Sequence, residues 1–131
     1  MSLRNLAPSS LHPPFGRYSH GIEIPAGWRV LRSSGQLGID VNGTIPTDAR
    51  AQAELCFANI AAILKEGGMG PENVAHVSGW VTDRAYMAGY MAARDAFFCN
   101  TPQVPASTLM IVSGFTREEF LVEVEVMAAA P

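Results

Sequence analysis

The sequence predicts an α+β domain: a mixed β-sheet with two helices packed on one of its faces. Three observations predict it. Two stretches of helical periodicity are separated and flanked by strand-like runs, in the order β-β-α-β-α-β-β. The final run, "FLVEVEVMA", alternates cleanly. Phe120, Val122, Val124 and Val126 fall on one face, and Leu121, Glu123, Glu125 and Met127 on the other. Finally, 131 residues suit one domain with a real core, and no linker, repeat or low-complexity segment divides them, so residues 1–131 read as a single unit.

The elements follow in order. "APSSLHPPFG" is turn chemistry, rich in proline and glycine. "RYSHGIEI" (17–24) reads as a first strand, and Pro25-Ala26-Gly27 as a hairpin connection into a second, "WRVLRSSGQLG" (28–38). Asn42-Gly43 signals a tight turn. Thr47 or Asp48 caps a helix running to about Glu66, with Ala53, Phe57, Ile60 and Leu64 at helical spacing and Gly67-Gly68 closing it. "VAHVSGWVT" (74–82) is a third strand. Asp83 caps a second helix, roughly 84–98, with a bulky aromatic face and a thin alanine face. Pro105 introduces a fourth strand, 106–112, and "SGFTREE" links it to the last.

Composition narrows the function classes. Hydrophobic residues make up 48% of the chain and charged residues only 16%, against the ~25% common in soluble domains. Such a chain is expected to hide surface against other subunits, and the sheet face without helices is the candidate surface. The formal net charge is −3 and Lys65 is the single lysine, so the basic footprint of nucleic-acid binding is missing. There is no apolar run long enough to span a membrane and no signal-peptide pattern at the start. Cys56 and Cys99 lie in apolar helical contexts and read as free buried thiols in a reducing, cytoplasmic setting.

Several constellations could carry chemistry. Gly35, inside "SSGQLG", marks either a bulge where a ligand nears the backbone or a simple strand twist; Ser34 and Gln36 share a face, with Arg32 in line. Glu123 and Glu125 share a face. Buried together, one would hold a proton and suit acid/base work; otherwise they are solvated or hydrogen-bonded. Tyr18 could close a pocket or satisfy a backbone carbonyl. His12, His20 and His76 pair with nothing at metal-ligand spacing, so no metal is expected.

Taken together, "GRYSHGIEI", "SSGQLGID", "QAELCFANIAAILKEGGM", "VAHVSGWVTD", "FFCNTPQVPAS" and "FLVEVEVMA" resemble the YjgF/RidA family, also called endoribonuclease L-PSP, over roughly Pro8 to Ala128. The resemblance implies a chorismate-mutase-like fold and a homotrimer with a central barrel and a small-molecule cleft between subunits. It implies hydrolysis of enamines and imines without a metal or organic cofactor. By the same resemblance, Tyr18 lines the cleft, Ser34 and Gly35 contact substrate, and Glu123 positions the attacking water. The family reads Pro-Ala-Arg where this chain reads Pro105-Ala106-Ser107, so the arginine that clamps a substrate carboxylate is missing from its place. Ser107 or Thr108 would then donate to a less charged, amide-like ligand. Arg32 could substitute as the clamp or make an ion pair. The expected function is an imine-deaminase-like C=N hydrolase with altered substrate preference. The alternatives are a non-catalytic ligand-binding protein of the same fold and, with less support, an endoribonuclease or translation inhibitor.

Overall fold

The computed structural model describes residues 1–131. Its elements are β1 (Arg4–Leu6), β2 (Gly21–Glu23), β3 (Arg29–Arg32), β4 (Gln36–Leu37), α1 (Ala49–Glu66), β5 (Val74–Val81), α2 (Met87–Phe97), β6 (Ala106–Ile111) and β7 (Val122–Ala130). The main sheet runs β3-β7-β5-β6, with β4 continuing beside β7. Only β5 and β6 are parallel, which is why α2 sits between them in sequence as the crossover. The sheet is therefore mixed, with two helices on it, as the alternation and helix spacing predict.

The alternation of β7 sets the layers. Val122, Val124 and Val126 are buried against the helices in a core of 18 buried residues that includes Phe57, Ile60, Leu64 and Tyr90. Glu123, Glu125 and Met127 stay partly exposed on the face without helices. Tyr90 lies so close to β5 that a Cβ at Gly79 would fall 2.3 Å from its ring, so glycine is the notch that seats this aromatic.

Caps fall where the chemistry places them. Asp48 accepts a hydrogen bond from the Ala51 N–H at the start of α1. At its end Gly68 takes φ +70°, Gly68 N–H donates to Lys65 O, and Met69 N–H to Leu64 O, the paired bonds of a Schellman stop.

Four expectations need correction. The first strand is not 17–24: only Gly21–Glu23 is regular, and it pairs with the N-terminal β1 rather than forming a hairpin with β3. Its leading part is held elsewhere, by Ser19, as described below. The second strand breaks at Ser33–Gly35. Register opposes the five residues from Arg32 to Gln36 to the four from Val124 to Met127, a one-residue bulge closed by Ser33 on Val126. Arg32 thus sits opposite Met127 and Gln36 opposite Val124, so the two lie on opposite faces, not one. The second helix opens with a 3-10 turn at Arg84–Tyr86 before α2 proper. Finally, Cys56 is buried, its thiol pushed up to about 12 by burial and then by Glu123, but Cys99 is exposed.

Candidate functional site

Two groups of side chains hold the residues singled out above, and they lie on opposite faces of the sheet. The first flanks β6 on the helix side. Ser19 is buried; its N–H donates to Pro105 O at 2.9 Å, its hydroxyl donates to Val104 O, and it bridges Ala106. This pins Tyr18 beside the entry to β6. The Tyr18 hydroxyl accepts from the Phe15 N–H at 3.1 Å, which folds the 15–18 turn over the same spot. Tyr18 therefore both satisfies backbone, through an N–H rather than a carbonyl, and lines a pocket of about 280 Å3. Phe15, Met87, Met91, Arg94, Ser107 and Leu109 form its other walls, and Gly16 completes it.

Arg94 is the residue that sequence reasoning missed. It comes from the bulky face of α2, in line with Met87, Tyr90 and Met91, and its side chain is only 5% exposed. Its Nη1 donates to Ser107 Oγ at 3.3 Å and its Nε to Asp95 Oδ1 at 3.1 Å. The guanidinium stands 6.0 Å from the centroid of the Tyr90 ring. The buried Tyr90 hydroxyl has no hydrogen-bond partner, and its acidity is suppressed first by burial, against the opposing pull of Arg94. A signal was available in principle: Met91, Tyr90 and Met87 stand three, four and seven residues before Arg94, so helical spacing sets this arginine on the bulky face of α2.

The second group lies on the open face. Gly35 carries Glu123 directly against it: a Cβ there would fall 2.6 Å from the Glu123 carboxyl carbon. The close approach read into Gly35 is thus made by a side chain of the same protein. Burial, and then the charge of Glu125, hold the Glu123 carboxyl above the usual carboxylate range. Ser34 is exposed at the bulge beside it. Arg32 donates to Glu125 at 3.2 Å, an exposed ion pair, and reaches neither Ser107 nor Tyr18. Thr108 points away from Ser107, with its hydroxyl 3.3 Å from His76 Nε2, while Ser78 lies 3.3 Å from His76 Nδ1. Burial pushes His76 below its ordinary value, opposed by Glu125. Arg32, His76, Ser78 and Glu125 share a hollow of about 320 Å3.

Ser107 pairs with Val77 in the core, and Glu123 pairs with Trp80 on the open face. One protomer therefore does not bring Ser107 and Glu123 together. The largest hollow, about 830 Å3, lies between the N-terminal residues and 23–26, where its one ion pair, Arg4–Glu23, is exposed. It holds none of the candidate residues. No group of three or more His, Cys, Asp or Glu side chains could hold a metal ion, and no helix is long and apolar enough to cross a membrane.

A mixed sheet backed by two helices defines the class of fold. The sequence model of the family described as endoribonuclease L-PSP matches residues 9–130, and the chain belongs to that family, which includes YjgF and RidA. A RutC family protein of Pasteurella multocida is 27% identical over 127 residues, 95% of this chain and 91% of that one. Another, from Aquifex aeolicus, is 35% identical over 71 residues; the match spans 53% of this chain and about half, 54%, of that relative. The crystal structure of YyfB from Yersinia pestis, a protein of unknown function of the conserved Rid family, superposes with a TM-score of 0.88. It is 29% identical and covers 99% of this chain and 100% of its own. Escherichia coli TdcF with bound serine shares the fold, with a TM-score of 0.73, 23% identity and coverage of 90% and 91%.

Proposed function

We propose that this protein is a RidA-type small-molecule-binding protein whose cleft hydrolyses a C=N bond, with Glu123 orienting the water. The observation that carries the reading is Glu123 itself. It is partly buried, seated on a glycine that leaves room for no other side chain, and its carboxyl is held above the usual range beside Glu125. A carboxylate so placed can accept a proton from water as the oxygen attacks an imine carbon. The nitrogen takes up a proton, and the resulting carbinolamine collapses to a carbonyl compound and an amine. No metal or organic cofactor enters this scheme. Serine bound by TdcF supports a small, amino-acid-sized ligand in this fold.

Because Ser107 and Glu123 face opposite ways, a cleft that uses both draws them from two copies of the chain. This supports a homotrimer with intersubunit clefts. So do Val30, Met110 and Ile111, apolar and exposed on the two outer strands, β3 and β6. Few cations and one lysine count against RNA as the ligand.

The test is imine decay. Generate 2-aminoacrylate with a serine dehydratase and follow its loss with and without this protein. Acceleration that is lost in Glu123→Gln is expected. Light scattering should give a trimer at micromolar concentration. No acceleration from the wild-type protein overturns the hydrolase reading and leaves the non-catalytic binding protein, which the absence of arginine at position 107 favours.

A further inference from the structure

The geometry points to Arg94, delivered from α2, as the anion-binding residue of the cleft, and to a ligand that carries a carboxylate seated on Arg94 and Ser107. This rests on the reading of the Tyr18–Ser107 pocket as the ligand cleft. It reverses the expectation of a neutral ligand drawn from Ser107 alone.

Four observations carry it. Arg94 is a buried cation, and a buried cation is costly unless its donors are met. A guanidinium has five N–H groups. Here Nε goes to Asp95 and one Nη1 hydrogen to Ser107, while Nη2 has no acceptor in the protein. Arg94 nevertheless lines the pocket, so the free edge of its fork opens there, and Nη2 lies beside Gly16, where even an added Cβ would come only to 3.5 Å. A carboxylate accepting from the Nη pair is the two-pronged arrangement that guanidinium geometry favours.

The surroundings agree. Asp95 offsets one charge through Nε, but Arg17 approaches from the rim, donating to Asp95 O at 3.5 Å, so the local balance stays positive. Met87, Met91, Leu109 and Phe15 form apolar walls, where a charge interaction is screened less than in water. The pocket, about 280 Å3, falls just under the ~300–1,000 Å3 typical of drug-sized ligands. The fitting class is a short aliphatic carboxylic acid, its head on the guanidinium and its few carbons on the methionines.

Ser107 acquires a reason under this arrangement. It is short because the space next to it is filled from another element. An arginine at 107 would set a second guanidinium against Arg94, so Ser107→Arg alone should not improve binding.

Isothermal titration of the full chain with butanoate and with butanamide, equal in shape and different in charge, tests the proposal. Butanoate is expected to bind and butanamide to bind roughly ten- to a hundredfold more weakly. Arg94→Met should lower butanoate affinity by a similar factor, lower butanamide affinity far less, and keep a cooperative melt. Arg94→Met with Ser107→Arg should recover part of the loss, the charge now coming from β6. If Arg94→Met does not fold, Arg94→Lys, which keeps the charge and loses the fork, carries the same comparison. Equal affinity for acid and amide, no butanoate binding, or undiminished butanoate binding in the Arg94 variant overturns the proposal. Imine decay separates it from the hydrolase reading. Acid preference without accelerated decay refutes the hydrolase alone, and accelerated decay that survives in the Arg94 variant refutes the clamp alone.

Discussion

Replacing Gln52 with leucine should destabilise the protein far more than a change on a helix surface would. Gln52 is fully buried in α1, and its amide makes three hydrogen bonds. Nε2 donates to Pro46 O at 2.7 Å and to Glu119 O at 2.8 Å, and Oε1 accepts from the Leu121 N–H at 2.9 Å. It thereby ties the helix to the last residues before β7, two positions ahead of Glu123. Leucine matches its volume roughly but supplies no polar atom. The Leu121 N–H then loses its partner, at a cost of about 1–3 kcal/mol, and two carbonyls lose theirs, each at less because a carbonyl at the chain surface can turn to water. A sum of roughly 2–4 kcal/mol is expected, set against a total stability of about 5–15 kcal/mol for a domain. For a chain of this size each kcal/mol lowers the midpoint by roughly 3–5 °C, so the melt should fall by about 6–20 °C. Urea titration with circular dichroism measures this directly. A loss below about 0.5 kcal/mol would place Gln52 among substitutions without a special mechanism and refute the anchoring argument. Gln52→Glu should be worse, since it keeps the acceptor but turns the donor into a charge facing two carbonyls.

Two further outcomes follow from the open face. Gly35→Ala puts a methyl 2.6 Å from the Glu123 carboxyl carbon, so the carboxylate must move by about 1 Å; a displacement of that size costs on the order of a hundredfold in rate, with little change in melting because the side-chain tip is flexible. An unchanged rate of imine decay would remove Glu123 from the reaction. Glu123→Gln should alter stability in a pH-dependent way. The folded wild type binds this proton more tightly than the unfolded chain, so its stability falls as pH rises from the ordinary carboxylate value through the raised one. The variant lacks that fall: relative to wild type it should gain across the window and stay level above it. Denaturant midpoints taken from acid to neutral pH would show the gap opening, and a constant gap would contradict the argument.

The layers and most element ends were legible because they rest on local chemistry. The period-two pattern of β7, the Asp48 cap and the glycine pair after α1 each act within a few residues. Failures arose where distant contacts decide. The bulge at Ser33–Gly35 depends on Val126, and the pairing of β2 with β1 depends on residues that read only as an irregular start. Among the candidate residues, the Gly35–Glu123 approach was half visible, as a glycine with an unnamed neighbour. Arg94 was legible only as a helix residue on a bulky face, because its partner is Ser107, thirteen positions on and in another element. Helical spacing sets this arginine beside Tyr90 and Met91; it does not show that β6 closes over that face.

The contact between Arg94 and Ser107 also constrains how such a chain can change. Because the two side chains touch, a change at either one alters the surroundings of the other, so the effects of paired substitutions there should not add, and each should be read only with the other in view.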